Sequence, residues 1–188
     1  MLKPSAVTFG ILIKAYGSAN MLQESFTIFR EMLQAKLVPN AVTYGCLLDA
    51  CVKNGQLEQA EEVWQNMHFN KVKLNTILYT TMIKAYSKAF MLEKSIDLYN
   101  KMIKEKQSNP DVTPNNVTFN SLLDCCVRCF NMPQAQQIFK AMFEESSSKS
   151  NQVKPDLITY STMIKGYCKE KNIEQALITL DLMQANKI

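Results

Sequence analysis

The stretch Ala41–Ala60, AVTYGCLLDACVKNGQLEQA, carries the pattern that decides the fold of this chain. It opens on a Thr-aromatic pair, continues as an apolar run, and passes through Asn54-Gly55 into a second run that holds a small residue. The same kind of opening recurs along the 188 residues as Val7-Thr8-Phe9, Val42-Thr43-Tyr44, Ile77-Leu78-Tyr79, Val117-Thr118-Phe119 and Ile158-Thr159-Tyr160. Successive openings lie 35, 35, 40 and 41 residues apart. A repeat of this length indicates a solenoid, in which each unit buries its apolar face against its neighbours.

Each repeat is predicted to be an antiparallel pair of α-helices. In the first repeat, Phe9, Leu12 and Ile13 recur at spacings of three and four, as an amphipathic helix requires, and a similar run follows from Phe26 to Leu33. The pattern therefore predicts an all-α fold, an α-solenoid of about five stacked helix-turn-helix repeats. The predicted repeats are residues 6–40, 41–75, 76–115, 116–156 and a truncated fifth, 157–188. Close helix approach is predicted at small residues early in the second helices, which are Ser25, Ala60, Ser95, Ala135 and Ala176.

The third and fourth repeats are longer because they contain insertions at residues 104–113 and 144–154. The first insertion is polar and the second is rich in serine, so both are predicted to be flexible loops after the second helix of their repeats. Expansion without function is the simpler interpretation. A contact or regulatory role for Ser146-Ser147-Ser148 is the alternative.

Composition narrows the class of protein. The chain is 47% hydrophobic and 20% charged, with a net charge of +4. It contains no apolar run near the roughly 20 residues that cross a bilayer, so no membrane partner is expected. The modest charge neither establishes nor excludes a nucleic acid, because the arrangement of charge matters more than its total. Lys3-Pro4-Ser5 corresponds to Val38-Pro39-Asn40, which predicts a piece of a longer solenoid whose targeting segment is absent.

Six cysteines raise the question of a disulfide or metal site: Cys46, Cys51, Cys125, Cys126, Cys129 and Cys168. Cys126 and Cys129 have the spacing of half a zinc site, but a structural zinc usually needs four ligands and His68 is the single histidine. All six fall in the first helix of a repeat, where small apolar residues pack. We therefore expect buried free thiols in a reducing compartment, with no metal and no cofactor. No cluster of acidic or metal-binding residues predicts catalysis, so the chain is not expected to be an enzyme.

One stripe of the first helix changes character along its length in the same way from repeat to repeat. Its members are the second, fifth, ninth and thirteenth residues of a repeat, which fall three or four apart. The second residues form an aliphatic row: Val7, Val42, Ile77, Val117 and Ile158. The fifth residues form a polar row of small or polar side chains: Gly10, Gly45, Thr80, Asn120 and Ser161. The thirteenth residues form a basic row from the second repeat onward: Lys53, Lys88, Arg128 and Lys169.

Three such rows suit a single-stranded nucleic acid. Aliphatic side chains can clamp flat bases, polar groups can meet base edges, and cations can follow the phosphates. The structural alternative is that the aliphatic residues cover the core and that the Lys residues are solvated at helix ends, where a cation also favours the helix dipole. Recurrence in four or five repeats favours the binding surface.

These features resemble the pentatricopeptide repeat family over residues 6–188. The resemblance rests on the Ala41–Ala60 stretch, on the Pro-Asn or Pro-Asp closings, and on a methionine near the end of each second helix, at Met32, Met67, Met102, Met142 and Met183. This family reads one base per helical repeat. The resemblance implies a right-handed superhelix that binds single-stranded RNA by sequence in a mitochondrion or plastid, including a non-photosynthetic plastid such as an apicoplast. Transcript stabilisation or processing is the implied role.

In the family, the fifth and last residues of a repeat together choose the base. The pairs assigned by the resemblance are Gly10 with Asn40, Gly45 with Asn75, Thr80 with Asn115, Asn120 with Asp156, and Ser161 alone. The family's code predicts adenine for the third pair and uracil for the fourth. Glycine supplies no side chain, so the first two pairs are expected to read loosely, with pyrimidines preferred, and Ser161 specifies a purine at most. The expected target is U/C-U/C-A-U, with the aliphatic row clamping bases and the basic row on the phosphates.

A protein-interaction scaffold is the alternative function, because helical-repeat arrays also bind peptides. A solenoid cut at both ends exposes apolar faces, so a homodimer or end-to-end self-association stays open beside RNA binding.

Overall fold

The computed structural model describes residues 4–146 and 153–188. These residues form ten α-helices and no strand, so the all-α prediction is confirmed. Two helices fall within each predicted repeat, and none of the helices in the described ranges is long and apolar enough to cross a membrane. The helices are α1 (Ala6–Ser18), α2 (Leu22–Gln34), α3 (Ala41–Lys53), α4 (Leu57–Phe69), α5 (Thr76–Lys88), α6 (Leu92–Lys106), α7 (Asn116–Arg128), α8 (Met132–Ser146), α9 (Leu157–Lys169) and α10 (Ile173–Ala185).

The helices belong to two compact units, Met1–Ala89 and Phe90–Ile188. In the first unit, α1 packs on α2 and α3, and α3 packs on α4 and α5. In the second unit, α7 packs on α6, α8 and α9, and α9 packs on α8 and α10. Inside each unit, a first helix therefore contacts both its own second helix and the first helix of the next repeat, as helical-repeat packing requires.

Helix boundaries follow from the local sequence. Each first helix begins after a residue whose side-chain oxygen accepts a hydrogen bond from the first turn, and these residues are Ser5, Asn40, Asn75, Asn115 and Asp156. Such a cap satisfies one of the backbone N–H groups that a helix start leaves without a partner. The turn between the two helices contains a residue with positive φ, which is Asn20 (59°) in the first repeat and Gly55 (69°) in the second. Asn and Gly adopt this left-handed conformation at little cost.

Aromatic pairs join consecutive repeats within each unit. Each pair packs a ring from the middle of a second helix against the ring that opens the next first helix. The pairs and their centroid separations are Phe29 with Tyr44 (5.5 Å) and Trp64 with Tyr79 (5.3 Å) in the first unit, and Tyr99 with Phe119 (5.8 Å) and Phe139 with Tyr160 (5.6 Å) in the second. Pairs of this kind contribute about 0.5–1.5 kcal/mol beyond their buried area, so they explain why an aromatic residue opens each repeat.

Small residues allow the helices to approach closely, as predicted. The five small residues of the second helices are 0–6% exposed: Ser25, Ala60, Ser95, Ala135 and Ala176. Gly17 has the same role in α1, because a Cβ at Gly17 would overlap Ala50 of α3. The recurrent methionines are fully buried at Met32, Met67, Met102 and Met142, and Met183 is partly buried.

The two insertions are not wholly loops. Residues 104–106 form the last turn of α6, and α8 continues to Ser146, so the loop prediction is wrong for residues 104–106 and 144–146. Polar composition does not end a helix whose other face is buried. Between α6 and α7, Val112 is fully buried and its N–H donates to the carbonyl of Asn109 at 3.0 Å, which makes this segment a packed turn. Residues 147–152, including Ser147 and Ser148, lie outside the described residues.

Candidate functional site

The aliphatic row faces solvent. Its members are 48–69% exposed: Val7, Val42, Ile77, Val117 and Ile158. The aromatic residue two positions later in each repeat is at most 7% exposed. The row therefore does not cover the core, as the structural alternative required. Five exposed aliphatic side chains at equivalent positions can instead pack against a flat apolar ligand.

Two members of the aliphatic row line a groove between α1 and α3 in the first unit. Val7 and Val42 form part of its walls together with Gly10, Asn40 and Lys14. A Cβ at Gly10 would have nothing within 4 Å, so the glycine leaves the groove open. The structure thus brings together the clamping residues and the base-reading pair predicted for the first repeat.

The polar row is less uniform. Ser161 is exposed, Gly45 and Asn120 are half-buried, and Gly10 and Thr80 are buried. Thr80 is only 4% exposed, so a base can reach this side chain only at that remaining surface or by displacing a neighbouring group. The helical period gives the direction of a side chain and not the groups that cover it.

The predicted last residues of the repeats are all helix N-caps. Oδ1 of Asn40, Asn75 and Asn115 accepts a hydrogen bond at 3.0 Å from a backbone N–H, and Oδ1 of Asp156 accepts one at 2.9 Å. Because the capped N–H needs an oxygen, capping turns Oδ1 of each asparagine toward the helix and Nδ2 away from it. An asparagine therefore presents a donor to a ligand, whereas Asp156 presents its second carboxylate oxygen, an acceptor.

Asp156 has further partners that hold its carboxylate in one orientation. Asn120 Nδ2 donates to Oδ1 at 3.1 Å, and Asn116 Nδ2 donates to Oδ2 at 3.2 Å. Partial burial alone would raise the pKa of Asp156, but hydrogen bonds from Thr159, Asn120 and Asn116 outweigh burial and hold the pKa below its ordinary value of 3.8. At neutral pH this carboxylate is ionised and accepts hydrogen bonds.

The fourth repeat joins its predicted base-reading pair directly. Thr159 Oγ1 lies 2.7 Å from Asn120 Oδ1, which leaves Asn120 Nδ2 toward Asp156. Asn116 is a further member of this cluster, which no sequence motif indicated. Its amide donates to the Lys154 carbonyl at 2.8 Å and accepts from the Lys154 N–H at 3.2 Å. An asparagine directly after the capping position was visible in the sequence, but this pairing across 38 residues was not.

Each member of the basic row contacts the preceding repeat. The contacts are Lys53 Nζ to Ser18 Oγ at 3.3 Å, Lys88 Nζ to the Val52 carbonyl at 2.9 Å, the Arg128 guanidinium over the Phe90 ring at 5.9 Å, and Lys169 Nζ over the Phe130 ring at 5.5 Å. The contact from Lys88 reaches the carboxyl end of α3, where a cation favours the helix dipole. The basic row therefore has a structural role at helix ends, which the sequence left open as an alternative. Three of its four members nevertheless remain exposed.

Two members of the basic row are paired with a carboxylate one turn earlier. Lys53 Nζ lies 2.8 Å from Asp49 Oδ2, and Arg128 Nε lies 2.7 Å from Asp124 Oδ2. In the other repeats the ninth residue is also basic, at Lys14, Lys84 and Lys165. Positive charge is therefore concentrated in the first, third and fifth repeats. The four cations are equivalent in the sequence pattern, and these ion pairs distinguish them.

None of the six cysteines is in a disulfide bond, but three of them are not buried. Cys51, Cys125 and Cys126 are buried, Cys46 and Cys129 are half-buried, and Cys168 is exposed. Burial raises the pKa of the Cys51 and Cys126 thiols to about 12, so both are protonated and poor nucleophiles. All six cysteines were predicted to lie in first helices. This prediction is wrong for Cys129, which directly follows the last residue of α7. In residues 4–146 and 153–188, no three His, Cys, Asp or Glu side chains group as metal ligands would.

The burial prediction is wrong for Cys168 because of its position in the chain. The equivalent residue in the first repeat, Gly17, faces Ala50 of the next repeat, and in the fourth repeat Val127 faces Gly166 of the next. Cys168 lies in α9, and α10 is the only helix that follows α9 in the described residues. The first helix of a further repeat, which covers the equivalent position elsewhere, is therefore not there to cover Cys168.

Two family models match the chain. One, described as the PPR repeat family, matches residues 4–53, and one described as the pentacotripeptide-repeat region of PRORP matches residues 47–188. Among curated proteins of Arabidopsis thaliana, a mitochondrial pentatricopeptide repeat-containing protein is 27% identical over 92 residues, 47% of this chain and 15% of that protein. Small ribosomal subunit protein mL103 (rPPR7) is 34% identical over 73 residues, 38% of this chain and 17% of that protein. The chain spans less than a fifth of these relatives, at 15% and 17% of their lengths.

Solved structures share the fold. Maize PPR10 has a TM-score of 0.75 at 21% identity, over 97% of this chain and 25% of that chain. In its complex with an 18-nt psaJ RNA element, the TM-score is 0.63 at 19% identity, over 100% of this chain and 36% of that chain. The PPR domain of Arabidopsis thaliana protein-only RNase P 1, solved with tRNA, has a TM-score of 0.74 at 16% identity, over 94% of this chain and 87% of that chain. The helical repeats are common to all, and since the second family model alone covers more than half of the sequence, this chain belongs to the pentatricopeptide repeat family.

Proposed function

We propose that this chain binds single-stranded RNA, one base per repeat, through the aliphatic, polar and basic rows. The observation that carries the proposal is the aliphatic row, in which an apolar side chain recurs at the second position of all five predicted repeats and is 48–69% exposed. Val7 and Val42 also line one groove with Gly10 and Asn40. A flat base placed between two aliphatic side chains buries apolar surface on both faces while its edge meets a polar group.

Proteins of the same fold support RNA as the ligand to test first. Maize PPR10 was solved with an RNA element, and the PPR domain of protein-only RNase P 1 was solved with tRNA. One curated relative is named as mitochondrial, which supports an organellar location. We propose binding without catalysis, in the stabilisation or processing of an organellar transcript.

The proposed target is U/C-U/C-A-U, and the capping residues supply its chemistry. In the fourth repeat, the ionised carboxylate of Asp156 can accept a hydrogen bond from the N3–H of uracil. In the third repeat, Thr80 is buried, so discrimination depends on Asn115, whose Nδ2 can donate to a ring nitrogen of adenine. In the first two repeats, the glycines leave only Asn40 and Asn75 to contact a base edge.

Fluorescence anisotropy with a labelled UUAU RNA tests the proposal. Val7, Val42, Val117 and Ile158 are replaced together by Ala, and the matched control replaces Leu33 and Ile178, exposed apolar residues of second helices. We expect about tenfold weaker binding for the row variant, or more, and no change for the control. Equal affinity of the row variant and the unmodified chain would contradict the proposed surface. Equal binding of UUAU and AAUA would leave an interface without base reading.

A protein-binding scaffold is the second candidate, and α10 favours it. This helix exposes five large apolar side chains, Ile173, Leu177, Ile178, Leu180 and Leu182. One curated relative is named as a ribosomal subunit protein, which indicates that proteins of this family also work in assemblies. Sedimentation of the chain and of a Leu177→Glu variant tests self-association through this face, since an unchanged sedimentation coefficient over a wide concentration range argues against it.

A further inference from the structure

Two phenylalanines occupy turn positions with a left-handed backbone, where the other three repeats have Asn20, Gly55 and Lys171. The fifteenth residue of each repeat lies between its two helices with a positive φ, and in the third and fourth repeats this residue is Phe90 (58°) and Phe130 (53°). A bulky side chain is an outlier in the left-handed region. The equivalent residues Asn20 and Gly55 show that the turn forms without a ring. Folding therefore does not explain the choice of phenylalanine.

The rings contribute little to the core. Phe90 is 61% exposed and Phe130 is 67% exposed. Exposed phenyl rings at strained backbone positions are disfavoured twice, once by the backbone and once by hydration of the ring. A positive φ also follows other helices of this chain, as at Lys36 and Lys71, so the backbone alone does not mark a site. The exposed rings are what make Phe90 and Phe130 candidates for contact with a ligand.

Each ring is paired with a member of the basic row from the following repeat. The Arg128 guanidinium lies 5.9 Å from the centroid of Phe90, and Lys169 Nζ lies 5.5 Å from that of Phe130. Both distances are within the range of a cation–π contact. The Cys129 thiol also lies 3.5 Å from the Phe90 carbonyl, so the turn that holds the first ring adjoins the end of α7. Within the second unit, the basic row is therefore interleaved with exposed aromatic rings.

We propose that Phe90 and Phe130 are base-stacking platforms for single-stranded RNA, set within the basic row and separate from the aliphatic clamps. An exposed phenyl ring offers a face to any base, while the paired cation meets the adjacent phosphate. This combination of aromatic platforms and a cationic track is what proteins use to hold single-stranded nucleic acid with little sequence preference. The inference rests on the proposed function, and it predicts affinity that base exchange does not change.

Replacement of both rings by asparagine tests the proposal without unfolding the turns. Asn20 occupies the same turn of the first repeat, so the Phe90→Asn/Phe130→Asn variant should keep its helical content and melting temperature. Its affinity for a 12-nucleotide oligouridine should be about 30-fold weaker, the low end of what two stacked bases contribute. The matched control is Phe69→Asn, since Phe69 is 86% exposed at the last residue of α4 and does not lie in the turn between the two helices of its repeat. The control should bind as the unmodified chain does.

An abasic ribose-phosphate oligomer of equal length separates stacking from a structural role. If the rings stack on bases, the double variant and the unmodified chain bind this oligomer equally, because it has no base to lose. If the rings only hold Arg128 and Lys169 in place, both ligands lose affinity alike, which overturns the proposal. Unchanged affinity for oligouridine also overturns it. If the unmodified chain binds no RNA, the proposed function and the stacking proposal are both refuted. If the unmodified chain binds RNA and only the stacking results fail, the proposed function stands.

Discussion

Replacement of Asp156 by Asn is the sharpest test of the proposed base reading. The substitution keeps a helix cap, because Asn and Asp cap equally well, and it converts one acceptor into a donor. Oδ2 of Asp156 accepts from Asn116 Nδ2 at 3.2 Å, so an amide nitrogen at that place would bring two donors together. Asn116 cannot turn over without cost, because both ends of its amide are paired with the backbone of Lys154.

The expected magnitudes follow from these contacts. A hydrogen bond to a charged acceptor contributes about 1.5–3 kcal/mol when buried, and the half-exposed position of Asp156 reduces the stability cost to about 1 kcal/mol. The effect on recognition is larger. Uracil has a donor at N3 and cytosine has an acceptor there, so the Asp156→Asn change should shift the uracil-to-cytosine preference by about 10- to 100-fold toward cytosine.

Anisotropy titrations with UUAU and UUAC, each against the unmodified chain and the Asp156→Asn variant, give four dissociation constants that form a closed cycle. Asn115→Asp is the control, since it changes the cap of the preceding repeat and should leave the U/C ratio at the last base unchanged. Circular dichroism checks that both variants keep their helices. The same U/C ratio in the unmodified chain and the Asp156→Asn variant would refute the inference that the cap atom turned away from the helix reads the base.

Four further results are expected. Gly17→Ala should destabilise the fold by about 1–3 kcal/mol because its Cβ would overlap Ala50, whereas Gly10→Ala, with open space around it, should not, and equal melting temperatures would contradict this packing. Cys168 should be the fastest thiol to react with a disulfide reagent, and the fast phase should vanish in Cys168→Ser; its persistence would contradict the exposure of this thiol. The slope of log K for RNA binding against log salt should be near −1.4, about 0.7 for each of Lys88 and Lys169, the basic-row residues without a carboxylate one turn earlier. Asp124→Asn should steepen this slope by about 0.7, whereas a slope near −2.8 in the unmodified chain would mean that the ion pairs open on binding. Because folding lowers the pKa of Asp156, its stabilising effect is present above pH 3.8 and is lost as the pH falls through the lower pKa of the folded state. Uracil preference should therefore be unchanged from pH 7 to pH 5, and a loss in that window would contradict the assignment of uracil reading to Asp156.

Much of the fold follows from the sequence because helical repeats are short-range structures. The helical period places Phe9 and Ile13 on the buried face of α1, whereas Leu12, part of the same apolar pattern, is 38% exposed. The recurrence of the pattern indicates which helices stack. The aliphatic row was predictable for the same reason, since a stripe of one helix stays a stripe after packing. The assignment of Asn120 and Asp156 to one base implied that they lie near each other, and the hydrogen bond between them was found only in the structure.

Other features depend on neighbours that no local pattern describes. Thr80 lies on the predicted face but is covered, and Cys168 lies at a position that is buried in other repeats but is uncovered in α9. The ion pair between Arg128 and Asp124 was visible as a spacing of four, yet its consequence for the proposed phosphate contacts is evident only when the charges of all repeats are compared. The strain at Phe90 requires backbone angles, because a phenylalanine after a helix does not by itself predict a positive φ.

The capping role also limits what the last residue of a repeat can be. Helix N-caps favour Asn, Asp, Ser and Thr, and of these Asn and Asp have the same shape and the same capping oxygen. They differ in the atom turned away from the helix, a donor in Asn115 and an acceptor in Asp156. Exchange between them should therefore change the hydrogen bond offered to a base while the helix start is kept. An apolar residue there would lose about 1 kcal/mol of capping and the proposed base contact together, so the helix start and the proposed recognition depend on the same side chain.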